Sequence, residues 1–137
     1  MKPNKIKYSK DLEWLKPFVE HVKYSVPLHR IKSIKSYRVK KGLTERSYGS
    51  TIKDSNKYTI NLRVHLWNHT SQEYKNETMA IILDTLAHEL AHVKQKSKDF
   101  AKHDSKHFNT QAWILLGFSY ILKVLKIKDT SKGFNNL

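Results

Sequence analysis

The sequence predicts an α+β fold, in which one helix is followed by a small set of strands and then by two more helices. Three patterns predict it. Near the N-terminus, Leu12, Leu15, Val19 and Val22 mark one face of a helix. In the middle, "YTINLRVHLW" sets Tyr58, Ile60, Leu62, Val64 and Leu66 alternately with Thr59, Asn61, Arg63, His65 and Trp67, the period of a strand. Further on, Met79, Ile82, Leu83, Leu86, Leu90 and Val93 recur at helical spacing and form a core stripe. This order of elements belongs to the α+β class.

Each element has its local reasons. The first helix covers residues 11–24, with Ser9 as its N-cap and Pro27 as its stop. Pro17 requires it to start late or to bend. "IKSIKSYRV" (31–39) reads as a strand, residues 41–46 as a turn around Gly42, and "SYGSTIK" (47–53) as a second short strand. Gly49 within it marks a bulge or a close backbone approach. With 58–67, this makes about three strands, antiparallel or mixed. "NHTSQEYKNE" is a polar connector, offering a Thr70–Glu73 capping box or an Asn76 cap to the next helix. "KQKSKD" reads as solvent-facing. A last helix begins near Ser105 or Phe108 and runs to Leu125, with Trp113, Leu116, Tyr120 and Val124 expected to pack inward. Residues 1–8 and 128–137 are expected to fray, and 1–137 reads as a single domain.

Composition narrows the function classes. At 137 residues and 39% hydrophobic content, the chain can bury a core. No apolar run approaches the roughly 20 residues that span a bilayer; 113–125 is broken by Gly117, Ser119, Tyr120 and Lys123. The start, "MKPNKIKYSK", lacks the apolar segment of a signal peptide, so a cytoplasmic protein without membrane contact is expected. Cys is absent, which excludes disulfides, thiolate metal sites and a cysteine nucleophile. Twenty-six Lys and Arg against twelve Asp and Glu give a net charge of +14, a field that favours polyanions and nucleic acid first. Lys far outnumbers Arg, which suits diffuse attraction rather than bidentate base reading.

The chemistry concentrates in "LAHELAHVKQKSKDFAKHDSKHF", from Leu86 to Phe108, which holds four of the eight histidines. Two residues four apart on a helix lie one turn above each other. His88 and His92 can therefore reach one zinc ion, at about 2.0–2.1 Å from each nitrogen. Glu89 lies about 100° round the helix, beside that face, where it can take a proton from a zinc-activated water. This is the content of the H-E-x-x-H pattern. A catalytic zinc takes three protein ligands and keeps one position open. For the third ligand, the downstream sequence offers His103, Asp104 and His107. Asp99, Glu73, Glu77, His65 and His69 have no distinguishing context.

The run "YTINLRVHLWNHT…MAIILDTLAHELAHV…HDSKHF" resembles the SprT-like zinc metallopeptidases, the group that includes the Spartan DNA–protein crosslink proteases. The resemblance covers about residues 31–120. It implies a strand, a H-E-x-x-H helix and a third ligand about a dozen residues on, at the start of a "H-[GDN]-x-x-F" signature. Carried over, His88 and His92 match the helix ligands, Glu89 the general base, and His103 with Asp104 the "HD" that carries the third ligand. Phe108 follows His103 by five residues where the family has four, and counting back four lands on Asp104; His107 is the remaining candidate. The family's Cys-rich zinc ribbon is missing. The function expected is a one-zinc endopeptidase acting on proteins, including those bound to nucleic acid. The alternatives are a basic nucleic-acid-binding or regulatory protein whose zinc site is structural or vestigial, with all four histidines closing the shell, and a H-E-x-x-H protein of another type, such as a toxin or anti-restriction factor.

Overall fold

A computed structural model describes residues 5–41, 47–95 and 102–125. The elements run β1 (Lys7–Tyr8), a 3-10 turn (Lys10–Leu15), α1 (Lys16–His21), a second 3-10 turn (Leu28–Arg30), β2 (Ile31–Arg38), β3 (Gly49–Asp54), β4 (Lys57–Asn68), β5 (Glu73–Asn76), α2 (Met79–Lys94) and α3 (Ser105–Val124). The fold is α+β, with a mixed five-stranded sheet rather than about three strands. β1, β2 and β4 run parallel, while β3 and β5 pair antiparallel with β4.

β4 is the spine of the sheet. Tyr58, Ile60, Leu62 and Val64 are buried, as alternation requires of one strand face. On the other parity, Arg63 is buried too, because Glu77 accepts a 2.6 Å hydrogen bond from its Nε and the Tyr48 ring lies 4.2 Å from its guanidinium carbon. Trp67 is covered by the hairpin with β5, where Tyr74 packs edge-on at 5.3 Å. The segment read as a polar connector thus contains a strand. The helix cap moves accordingly: neither Thr70 with Glu73 nor Asn76 caps α2, and Thr78 Oγ1 accepts from the Ile81 amide at 3.2 Å instead. Lys7 and Tyr8, expected to fray, pair in register with Ser33 and Ile34.

The N-terminal helix starts late, as Pro17 requires. A 3-10 turn precedes it and Pro17 occupies its first turn, where a missing N–H costs nothing. Ser9 flanks this turn without capping it; its Oγ accepts from the Ser36 amide at 3.0 Å, joining the N-terminus to β2.

α2 carries the core. Met79, Ile82, Leu83, Leu86, Leu90 and Val93 are all buried against the sheet and α3. α3 crosses α2 and reaches α1, where Phe118 meets Phe18 edge-on at 5.6 Å. Its phase differs from the sequence expectation. His107, Ile114 and Phe118 point inward, while Trp113, Leu116, Tyr120 and Val124 are 73%, 62%, 58% and 53% exposed. α3 has two apolar stripes, and at about 100° per residue they lie on opposite sides of the helix. The stripe in phase with His107 wins because it seats Phe118 on Phe18 and His107 among the other imidazoles. Among the described residues, no helix is long and apolar enough to cross a membrane.

Candidate metal centre

Three elements converge on the histidines. α2 presents His88 and His92 from one flank, away from the core stripe. The segment before α3 presents His103, and the first turn of α3 presents His107. Each of the four offers a ring nitrogen within 4.8 Å of the others, close enough to bind one metal ion.

The nitrogens are not equivalent. His103 Nε2 lies 3.1 Å from His88 Nε2 and 3.1 Å from His92 Nε2. A tetrahedral zinc with bonds of about 2.05 Å sets its ligand nitrogens about 3.3 Å apart, so this spacing suits the ion. His107 turns elsewhere: its Nε2 faces His88 Nδ1 at 3.2 Å and its Nδ1 faces Gln95 Oε1 at 3.2 Å. The outer nitrogens of the other rings are also engaged, His88 Nδ1 with Gln111 Oε1 at 2.9 Å and His92 Nδ1 with Gln95 Oε1 at 2.8 Å. Three Nε2 atoms thus point into one small space, with the Nδ1 atoms of His88 and His92 tied down behind. This donor set fits zinc.

His103, the exposed member, has its ring stacked on Phe108 at 6.3 Å between centroids. Asp104 is occupied differently. It is the N-cap of α3, and its Oδ1 accepts from the His107 amide at 3.0 Å, a role that satisfies an otherwise orphaned donor. Loss of water around the rings, then the nearby His92 and His88, hold His103 below the usual histidine pKa. The same causes, with His103 added, lower His107 to about 4. The lowering favours the neutral ring, the state that metal binding needs.

Glu89 projects beside the cluster and is only 5% exposed. Thr51 Oγ1 donates to its Oε1 at 2.7 Å. Thr51 can do this because β3 comes close to α2 at Gly49: a Cβ there would lie 2.6 Å from Thr85 Cγ2 and 2.7 Å from Asn61 O. Close approach, one of the two readings of this glycine, is what the structure shows.

Between β3 and α2 lies an open cleft of about 510 Å³, lined by residues 47–51 on one side and by Asp84, His88, Glu89 and His92 on the other, with His103 at its end. β3 is the outermost strand on this side. Tyr48 O accepts from Arg63 N at 2.8 Å, so by antiparallel alternation Tyr48, Ser50 and Ile52 bond to β4. The backbone N–H and C=O of Gly49, Thr51 and Lys53 therefore point outward.

The remaining candidates lie elsewhere. His65 packs against Arg38 and Tyr74, His69 beside Trp67, Glu73 in β5, and Glu77 on Arg63. Asp99 falls outside the described residues. Sequence reasoning missed Thr51, Gln95 and Gln111. Gln95 sits in the "KQKSKD" read as solvent-facing, yet it is half-buried and bonded to two imidazoles. The only available signal for Gln111 was its place one helical turn after His107. Compared with known proteins, the chain matches no family model, no curated protein and no solved structure.

Proposed function

We propose that the chain is a zinc-dependent endopeptidase of SprT-like type, with His88, His92 and His103 holding one ion and Glu89 as general base. One observation carries the reading. Three imidazole Nε2 atoms converge at 3.1 Å contacts beside a buried carboxylate, in the lining of an open cleft. A structural site needs no such carboxylate and no cleft.

A zinc held by His88, His92 and His103 would supply Lewis acidity, polarising a peptide carbonyl and bringing the pKa of a water toward about 7. Glu89, buried beside the imidazoles, would serve as proton acceptor for an attacking water and as proton donor to the departing amine. Thr51 fixes the carboxylate's rotamer, so the base is aimed before substrate arrives. The outward N–H and C=O groups of Gly49 and Thr51 suit an extended peptide that adds to β3 as a further antiparallel strand, laying its scissile bond along the cleft. The cleft is open at the surface, which fits cleavage within a chain rather than at its end.

The charge of +14 favours substrates that are acidic or bound to nucleic acid. Exposed lysines occur on several sides, among them Lys7, Lys35, Lys53, Lys94 and Lys106, in keeping with diffuse attraction. The test is cleavage of a basic DNA-binding protein by the zinc-loaded chain, with and without DNA. Glu89→Gln is expected to keep zinc and lose cleavage by about 10²–10⁴-fold, and unchanged cleavage would sink the assignment.

A second reading has its own observation. His107 is fully buried within the cluster, and its donation to the metal would close a four-imidazole shell with no place for water. Against it, both His107 nitrogens are engaged, with His88 and Gln95.

A further inference from the structure

The tie between Gln95 and Lys102 has a consequence for every imidazole in the cluster. Gln95 is the first residue after α2, and its Nε2 donates to the Lys102 carbonyl at 2.8 Å. A carbonyl only accepts, so the NH2 of this amide must face Lys102 and its oxygen must face the rings. That oxygen lies 2.8 Å from His92 Nδ1 and 3.2 Å from His107 Nδ1, and it too only accepts. Both Nδ1 atoms therefore carry the proton.

A neutral imidazole has one protonated nitrogen, so the Nε2 of each of these rings is a lone pair. For His92, that lone pair points at the convergence with His103. For His107, it points at His88 Nδ1, 3.2 Å away, which must then be the donor. His88 Nδ1 also meets Gln111 Oε1 at 2.9 Å, an acceptor that asks for the same proton. His88 is left with its Nε2 lone pair facing His103.

We infer that Gln95 is the positioning residue of the metal centre: it sets the tautomer of His92 directly and that of His88 through His107, and it ties down Lys102, the residue before His103. The inference rests on the proposed zinc site for its purpose, but the proton ordering exists in the metal-free protein. In this arrangement His107 is a relay, with its one free lone pair already used. Its full burial and its failure to point at the convergence then have a common cause.

The experiment uses the whole chain and two measurements. Ring-nitrogen NMR on the metal-free protein at neutral pH reads the tautomers. His88, His92 and His107 are expected as Nδ1–H forms; an Nε2–H form at His92 or His107 overturns the inference, whatever zinc does. Zinc affinity is read by competition with a chromophoric chelator. Gln95→Leu, which removes both the acceptor and the Lys102 tie, is expected to weaken zinc by about 10–100-fold and to release the tautomers of His92 and His107. Gln95→Glu keeps an acceptor oxygen but loses the donor to Lys102, so it is expected to retain the Nδ1–H forms of His92 and His107, and their loss in this variant overturns the inference. Equal affinity for wild type and Gln95→Leu overturns the inference. If Gln95→Leu fails to fold, the wild-type tautomers and Gln95→Glu still decide it. If wild type binds no zinc while the tautomers are as stated, the proposed function fails and the proton ordering stands.

Discussion

Thr51 Oγ1 donates a 2.7 Å hydrogen bond to Glu89 Oε1, linking the outermost strand of the sheet to the carboxylate beside the histidine cluster. A buried carboxylate with a single fixed donor is held in one rotamer, which a proton acceptor needs and a surface glutamate lacks. Thr51→Val keeps the shape and removes the donor. We expect cleavage to fall by about tenfold or more with zinc affinity unchanged, and Thr51→Ser to restore it. Steady-state kinetics beside a zinc titration check this; equal loss in Val and Ser would assign the effect to packing.

Gly49 sets how close that strand lies. Its missing Cβ would meet Thr85 Cγ2 at 2.6 Å and Asn61 O at 2.7 Å, and the latter is backbone that cannot swing aside. Gly49→Ala is expected to cost about 1–3 kcal/mol in urea unfolding, as overpacking does. It should also reduce cleavage at temperatures where the variant remains folded, since β3 must move and Thr51 moves with it.

The two apolar stripes of α3 give opposite expectations. Phe118 is buried against Phe18, and Phe118→Ala should cost about 3–5 kcal/mol. Trp113 is 73% exposed, and Trp113→Ala should change stability by no more than about 0.5 kcal/mol. Chemical denaturation of the two variants compares them; a large loss at Trp113 would reverse the phase of the helix.

The cluster also makes the metal-free protein sensitive to acid. His107 is held at about 4, below the ordinary histidine value of 6.5, so the folded state binds fewer protons than the unfolded state between those values. Its contribution to stability is present above about pH 6.5 and is lost as pH falls toward 4. His103, also lowered, adds in the same direction. Urea unfolding at steps from pH 7.5 to 4 should show this decline, and His107→Gln should flatten it. A decline of the same steepness in that variant would place the titration elsewhere.

Much of this was legible in the sequence, for reasons that differ by element. α2 was plain because six apolar residues keep one period and His88 and His92 share a different flank. β4 was plain by alternation, although Arg63 and Trp67 show that alternation does not report burial when a partner residue covers the polar side. α3 was misphased because a helix with two apolar stripes carries no internal choice between them; the choice comes from Phe18 and the histidines, distant in sequence. The expectation that His103 joins His88 and His92 came from zinc's preference for imidazole and from resemblance, and the structure sets its ring beside theirs; nothing in the sequence pointed to Thr51 or Gln95. A threonine and a glutamine have ordinary uses everywhere, and only the fold sets one beside Glu89 and the other beside His92 and His107.

The most direct test of the proposed centre is a zinc-loaded crystal structure with the ion located by its anomalous scattering. We expect one ion on the Nε2 atoms of His88, His92 and His103, with a solvent oxygen at the fourth position within reach of Glu89. An ion closed by His107 as a fourth imidazole, or no ion among these rings, would contradict it.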